Sequence, residues 1–292
     1  MKKILFFITV FFILTDFSYA EITDVFVSIL PQKYFAEKIG GEYIDVKVMV
    51  LPGNSPAVYN PTPRQMKDLG NAQIYFSIGV PFEKNWIGKI KKNFKNLKIK
   101  DSSNGILKRE PDKGVLNIKE HKNENSHNHD HGFNDPHIWM SPLNGLKIAR
   151  NMLTVLIEDS PEHSNYFINN YEKFADEVKQ LDAKLLKMTL TAKNKDIFVY
   201  HPSWGYFMDD YGFNQIPIES EGKSPGPKHL AEIMKFAEEK KIELLLVQPQ
   251  FPTSSADVME KTLELKIQTA DPLAEDWKEN LIKIGKIVSG QN

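Results

Sequence analysis

The residues best suited to chemistry in this 292-residue chain are its eight histidines, and they are unevenly spread. His121, His127, His129 and His131 crowd into eleven residues. The chain has no cysteine, so any metal must be held by His, Asp or Glu. Neutral imidazole is the commonest side-chain ligand for zinc and similar divalent ions. The four clustered histidines lie in or beside Lys119–Asp130, where Lys, Glu, Asn, Asp and His dominate and little is available to bury. That composition predicts a mobile surface loop that collects metal weakly, without fixed geometry, as an auxiliary site.

Three further residues have a different setting. His137 sits in Asp135-Pro136-His137-Ile138-Trp139, His201 in Tyr200-His201-Pro202-Ser203-Trp204, and Asp271 in Ala270-Asp271-Pro272. Each stands beside a proline, and His201 and Asp271 directly follow strand-like runs. In parallel α/β sheets ligands collect at the carboxyl ends of strands. A shared metal site made of His137, His201 and Asp271 competes here with the ordinary role of a buried histidine bonded to backbone. Two imidazoles and one carboxylate without thiolate suit Zn2+ and admit Mn2+ or iron. Three protein ligands and a water would also describe a zinc hydrolase, but there is no His-Glu-x-x-His helix and no general base beside a ligand, so the reading is binding and not an enzyme. His163 and His229, near helix starts, read as solvated. Trp139, Trp204, Tyr206 and Phe207 read as packing walls around the candidate ligands.

The elements that must position these residues alternate. Val25–Leu30, Val46–Val50, Ile74–Ile78 and Leu97–Ile99 are strand-like, and Gln32–Ile39, Pro63–Leu69 and Phe82–Phe94 have helical spacing. The second half repeats the plan, with strands at Ile197–Tyr200, Ile216–Ile218, Leu244–Val247 and Lys266–Thr269. Helices are expected over Gly205–Asp210, Lys228–Lys240, Ala256–Leu265 and Trp277–Val288. Such alternation predicts parallel sheets flanked by helices, an α/β fold. Between the halves lie a helix over Pro142–Ile157 and a longer one from about Glu162 to Thr191. The second, without internal Pro or Gly, would be about 45 Å long and able to brace two units.

Lys2 and Lys3, the apolar run Ile4–Leu14 and the small-x-small Ser18-Tyr19-Ala20 form a secretory signal peptide over residues 1–20. No later stretch reaches the ~18 apolar residues of a spanning helix. Without cysteine there is neither a disulfide framework nor a lipid anchor, which points to the periplasm. Removing the signal lowers Lys+Arg from 37 to 35 and Asp+Glu from 38 to 37, a net charge of −2, which is no footprint for nucleic acid.

At these same residues the chain resembles the periplasmic metal-binding proteins of zinc and manganese ABC uptake systems, the ZnuA-like group. Pro52-Gly53 with Tyr59-Asn60-Pro61-Thr62-Pro63, then Asp135–Trp139, Tyr200-His201 and Ala270-Asp271-Pro272, are similar to its four metal loops, and Gln248-Pro249-Gln250-Phe251 and the histidine-rich insert are shared features. The resemblance implies two α/β lobes, here residues 21–160 with the loop 119–134 and residues 193–292, joined by one long rigid helix over 161–192. It implies metal in the cleft between them, with His137, His201 and Asp271 at ligand positions. The expected function is capture of Zn2+ by a monomer that delivers it to an ABC permease. Binding of Mn2+ or iron, or metal buffering, are the alternatives on the same scaffold. One position departs from the pattern: Ala57 stands where the first ligand, a histidine, is expected. A water, a histidine of the 121–131 loop, or Glu219 or Glu221 would have to replace it.

Overall fold

A computed structural model describes residues 22–112, 134–219, 225–250 and 265–291. Two four-stranded sheets, each wholly parallel, hold the described chain together. In the first, β1 (Thr23–Val27), β2 (Ile44–Val48), β3 (Ile74–Ser77) and β4 (Lys98–Asp101) lie in the order β2-β1-β3-β4. In the second, β5 (Asp196–Val199), β6 (Asn214–Pro217), β7 (Leu244–Val247) and β8 (Lys266–Thr269) repeat it as β6-β5-β7-β8. Central strands such as β3 are buried throughout, which demands continuous apolar runs; β4 and β8 at the edges are exposed at both ends, half-buried between, and carry lysines.

Helices α1 (Leu30–Gly40), α2 (Pro63–Leu69), α3 (Pro81–Asn93), α4 (Pro142–Asp159), α5 (Ser164–Thr189), α6 (Gly205–Tyr211), α7 (Pro227–Lys240) and α8 (Trp277–Ser289) accompany the sheets. The long helix is shorter than its apolar spacing suggests. Pro161 opens a separate 3-10 turn, Pro161–His163, so α5 begins at Ser164 and its 26 residues span about 39 Å. It packs against α1 and α4 on one side and α6 and α8 on the other, so it touches elements from both halves of the chain.

One apolar cluster runs from β1 and β3 through α1, α4 and α5 to Trp204, Phe207 and Trp277. A smaller one, around Phe198, Ile218, Ile233 and Leu245, covers the other face of the second sheet. Helix α8 closes the chain by returning to the first half: Trp277 packs edge-on against Phe35 of α1, with centroids 4.8 Å apart. The expected signal peptide, the helix expected from Ala256, the histidine cluster 121–131 and Glu221 lie outside the described residues.

Candidate metal centre

Loops at the carboxyl ends of β2, β3 and β4 face those of β5, β6, β7 and β8 across a cavity of about 840 Å³. The first of these loops is set by a reciprocal cap. Thr62 accepts from the N–H of Gln65, while Gln65 Oε1 accepts from the Thr62 N–H and the Tyr59 hydroxyl. This arrangement satisfies the open start of α2 and leaves Ser55–Val58 on the cavity wall. Ala57 is there as the sequence requires, with a methyl group and no donor.

His137 precedes the 3-10 turn Ile138–Met140. Its Nδ1 lies 2.8 Å from Asp135 Oδ1, which also accepts the His137 backbone N–H at 2.9 Å. Asp135 is 2% exposed and takes a further hydrogen bond from Arg109 Nη1 at 3.1 Å. Burial pushes its carboxyl up, but the bonds and charges of His137 and Arg109 outweigh burial and hold it below the usual carboxylate range. An ionised carboxylate only accepts, so Nδ1 of His137 carries a proton, and it is Nε2 that offers the lone pair whenever the ring is neutral.

His201 follows β5 and is built the same way. Its Nδ1 is 2.6 Å from Oε1 of Glu219, which follows β6 and is 6% exposed. The Gln248 side chain brackets the His201 backbone, accepting its N–H and donating to its carbonyl at 2.7 Å. The two imidazoles meet across the cavity with ring centroids 5.6 Å apart and planes at 77°. Two imidazoles bound through nitrogen to one tetrahedral zinc, at Zn–N of about 2.0–2.1 Å, have centroids roughly 5 Å apart.

Asp271 stands differently. It lines a small separate recess with Val50, Leu51, Pro52 and Gly53, and this recess shares only Gln250 and Leu273 with the large cavity. Its Oδ1 accepts from Gln250 Nε2 at 2.8 Å and from the Leu273 N–H at 2.9 Å. Among the described residues no three His, Cys, Asp or Glu side chains form a group able to hold an ion. The structure therefore pairs His137 with His201, and leaves Asp271 in the adjoining recess.

The aromatic walls also tie the loops. Trp139 Nε1 donates to the Pro272 carbonyl, and Trp277 Nε1 to the Trp139 carbonyl, both at 2.6 Å. Tyr206 hydroxyl donates to the Asp135 carbonyl at 3.1 Å. Arg109 spans the same seam, bonding Asp112 and Asp135 from one side and Asp209 of α6 from the other. Gly205 makes room for it: a Cβ there would lie 1.8 Å from Arg109 Nη1. Buried beside the lining residues Gly79 and Lys84, Glu83 of α3 accepts the N–H groups of Ile78 and Gly79 and the Ser28 hydroxyl. Burial nevertheless pushes its carboxyl up to about 7.

Sequence reasoning missed these supports. Asp135 was legible as a neighbour of His137, but Glu219, 18 residues beyond His201, was read only as a substitute ligand. It holds Nδ1, on the opposite side of the ring from Nε2, and cannot share an ion bound there. His229 is a correction: it is 9% exposed and not solvated, its Nε2 accepts no hydrogen bond among the described residues, and burial lowers its pKa. His163 stacks on Tyr43, centroids 3.8 Å apart.

The model of the family described as "ZnuA: Zinc-uptake complex component A periplasmic" matches residues 25–284. The chain belongs to the ZnuA family. A solved structure of a ZnuA is 32% identical, covering 92% of this chain and 99% of that one with a TM-score of 0.83. A ZnuA deletion mutant with zinc bound is 33% identical, covering 93% and 100%, with a TM-score of 0.81. The zinc-binding protein AdcA of Streptococcus pyogenes is 25% identical over 90% of this chain and 52% of its own length. The chain thus spans about half the length of the streptococcal relatives it matches. ZnuA-family membership makes the two-sheet α/β architecture the expected one, and the described sheets agree with it.

Proposed function

We propose that this chain captures zinc in the periplasm, between its two sheets, and passes it to the membrane permease of an ABC importer, acting as a monomer. The observation that carries the reading is the pair of imidazoles, 5.6 Å apart and each oriented by a buried carboxylate on Nδ1. A carboxylate behind a ligating histidine fixes its tautomer and raises its basicity. Nε2 of His137 and His201 are then the donors. Asp271 is the third ligand, reached when the ion draws it from Gln250 across their common wall. A water or a histidine of the 121–131 cluster completes the shell, and the cluster otherwise gathers metal loosely.

Family membership and a 33% identical relative solved with zinc support zinc as the cargo. The two buried carboxylates beside the imidazoles are committed to their Nδ1 atoms, which supports holding an ion rather than activating a water. Ligating imidazole must be neutral, so capture weakens as acid protonates it. Zinc titrations of the full chain at pH 7.5 and 5.5 test this, with His137→Ala and His201→Ala as companions. Affinity is expected to fall by more than about tenfold at the lower pH and in each variant. Equal affinities at both pH values, or in both variants, would reject the histidine site.

A further inference from the structure

The cavity is far larger than a bare ion requires. A closed protein zinc site gathers four donors at about 2.0–2.3 Å and leaves no open volume. Here about 840 Å³ lies beside two imidazoles, within the ~300–1,000 Å³ typical of small-molecule pockets. Among the described lining residues the remaining wall adds no uncommitted imidazole or carboxylate: Ala57 and Val58 end in methyl groups, and Asp135 and Glu219 are hydrogen-bonded to the histidines, so Asp271, drawn from the neighbouring recess, brings the protein donors to three. Two cationic side chains, Lys84 and Lys108, line the same space. The Lys108 ammonium lies 3.3 Å from where a Cβ on Gly79 would stand, at the carboxyl end of β3.

We propose that the cavity takes zinc together with a small carboxylate-bearing chelator, an amino acid or a di- or tricarboxylate. His137, His201 and Asp271 hold the ion from the protein side. The chelator takes the position that would otherwise go to a water or a loop histidine, and directs a remaining carboxylate at Lys84 and Lys108. Apolar surface from Val58, Val80 and Pro81 covers its carbon frame. This rests on zinc capture as read above and names the form in which the ion arrives.

The test uses the full chain and two isotopically labelled probes, L-histidine and citrate, each offered with and without one equivalent of zinc. Native mass spectrometry and gel filtration read what stays bound. The expected result is a 1:1:1 complex of protein, zinc and chelator, with no chelator retained when zinc is absent. Retention of histidine alone assigns the amino-acid class, of citrate alone the polycarboxylates, and of both their shared chemistry; each supports the proposal. Lys84→Gln with Lys108→Gln is expected to weaken chelator retention by about tenfold or more. Ala57→His, which returns a donor to the wall, is expected to tighten binding of zinc without chelator and to lower chelator retention. One equivalent of zinc held with both chelators excluded would overturn the proposal and leave zinc capture standing. No zinc bound under any condition would overturn both.

Discussion

At the scale of single residues, the site depends on what stands behind each imidazole. Asp135 was legible because it lies two positions before His137 and turns back on it; its bond to the His137 backbone N–H is a local turn that Asp readily forms. Glu219 was not, because only the pairing of β5 with β6 brings it under His201. Glu83 was not singled out either, since nothing local distinguishes it from other helical glutamates. Its carboxyl, raised from 4.5 to about 7, makes a definite prediction. Between those values the unfolded chain has released the proton and the folded chain keeps it. Stability is therefore full below pH 4.5 and declines as pH rises towards 7, by roughly 3 kcal/mol from this group. Glu83→Gln removes that decline. Urea unfolding of the zinc-free protein at pH 5 and pH 8 checks it: the difference between wild type and variant should change by about that amount, and an unchanged difference would refute the assignment.

At the scale of elements, apolar runs located seven of the eight described strands to within two residues, because buried parallel strands leave a clear composition; the first was drawn three residues too far, into Leu30, which begins α1. Helix ends were clear wherever Pro or a capping residue marked them, as at Thr62-Pro63. The start of α5 falls two residues beyond the expected Glu162, because the Pro161 turn takes up the first of its apolar spacing. What spacing alone could not reveal was where α8 docks, since its apolar face would suit any helix layer. The contact between α4 and α8 is tight: a Cβ on Gly145 would lie 2.6 Å from Trp277 and 3.2 Å from Phe35. Gly145→Ala gains about 1 kcal/mol of helix propensity but overpacks a rigid indole, at about 1–3 kcal/mol. Overpacking wins, and Tm should fall by about 2–4 °C in thermal melts. A rise in Tm would show that α8 yields.

At the scale of the whole molecule, the two halves share more than a linking helix. Resemblance to a known family led to two lobes joined by α5, yet the larger apolar cluster passes from the first sheet into the second half without a break. Such continuity predicts that the zinc-free chain unfolds in one transition, with calorimetric and van't Hoff enthalpies in agreement. Two resolved peaks would mean that the halves melt separately. The pair of indole bonds from Trp277 to Trp139, and from Trp139 to Pro272, carries this unity to the ligand loops. Loosening α8 would therefore be felt at the backbone of Trp139, two positions from His137, without any change in a residue that bonds either imidazole.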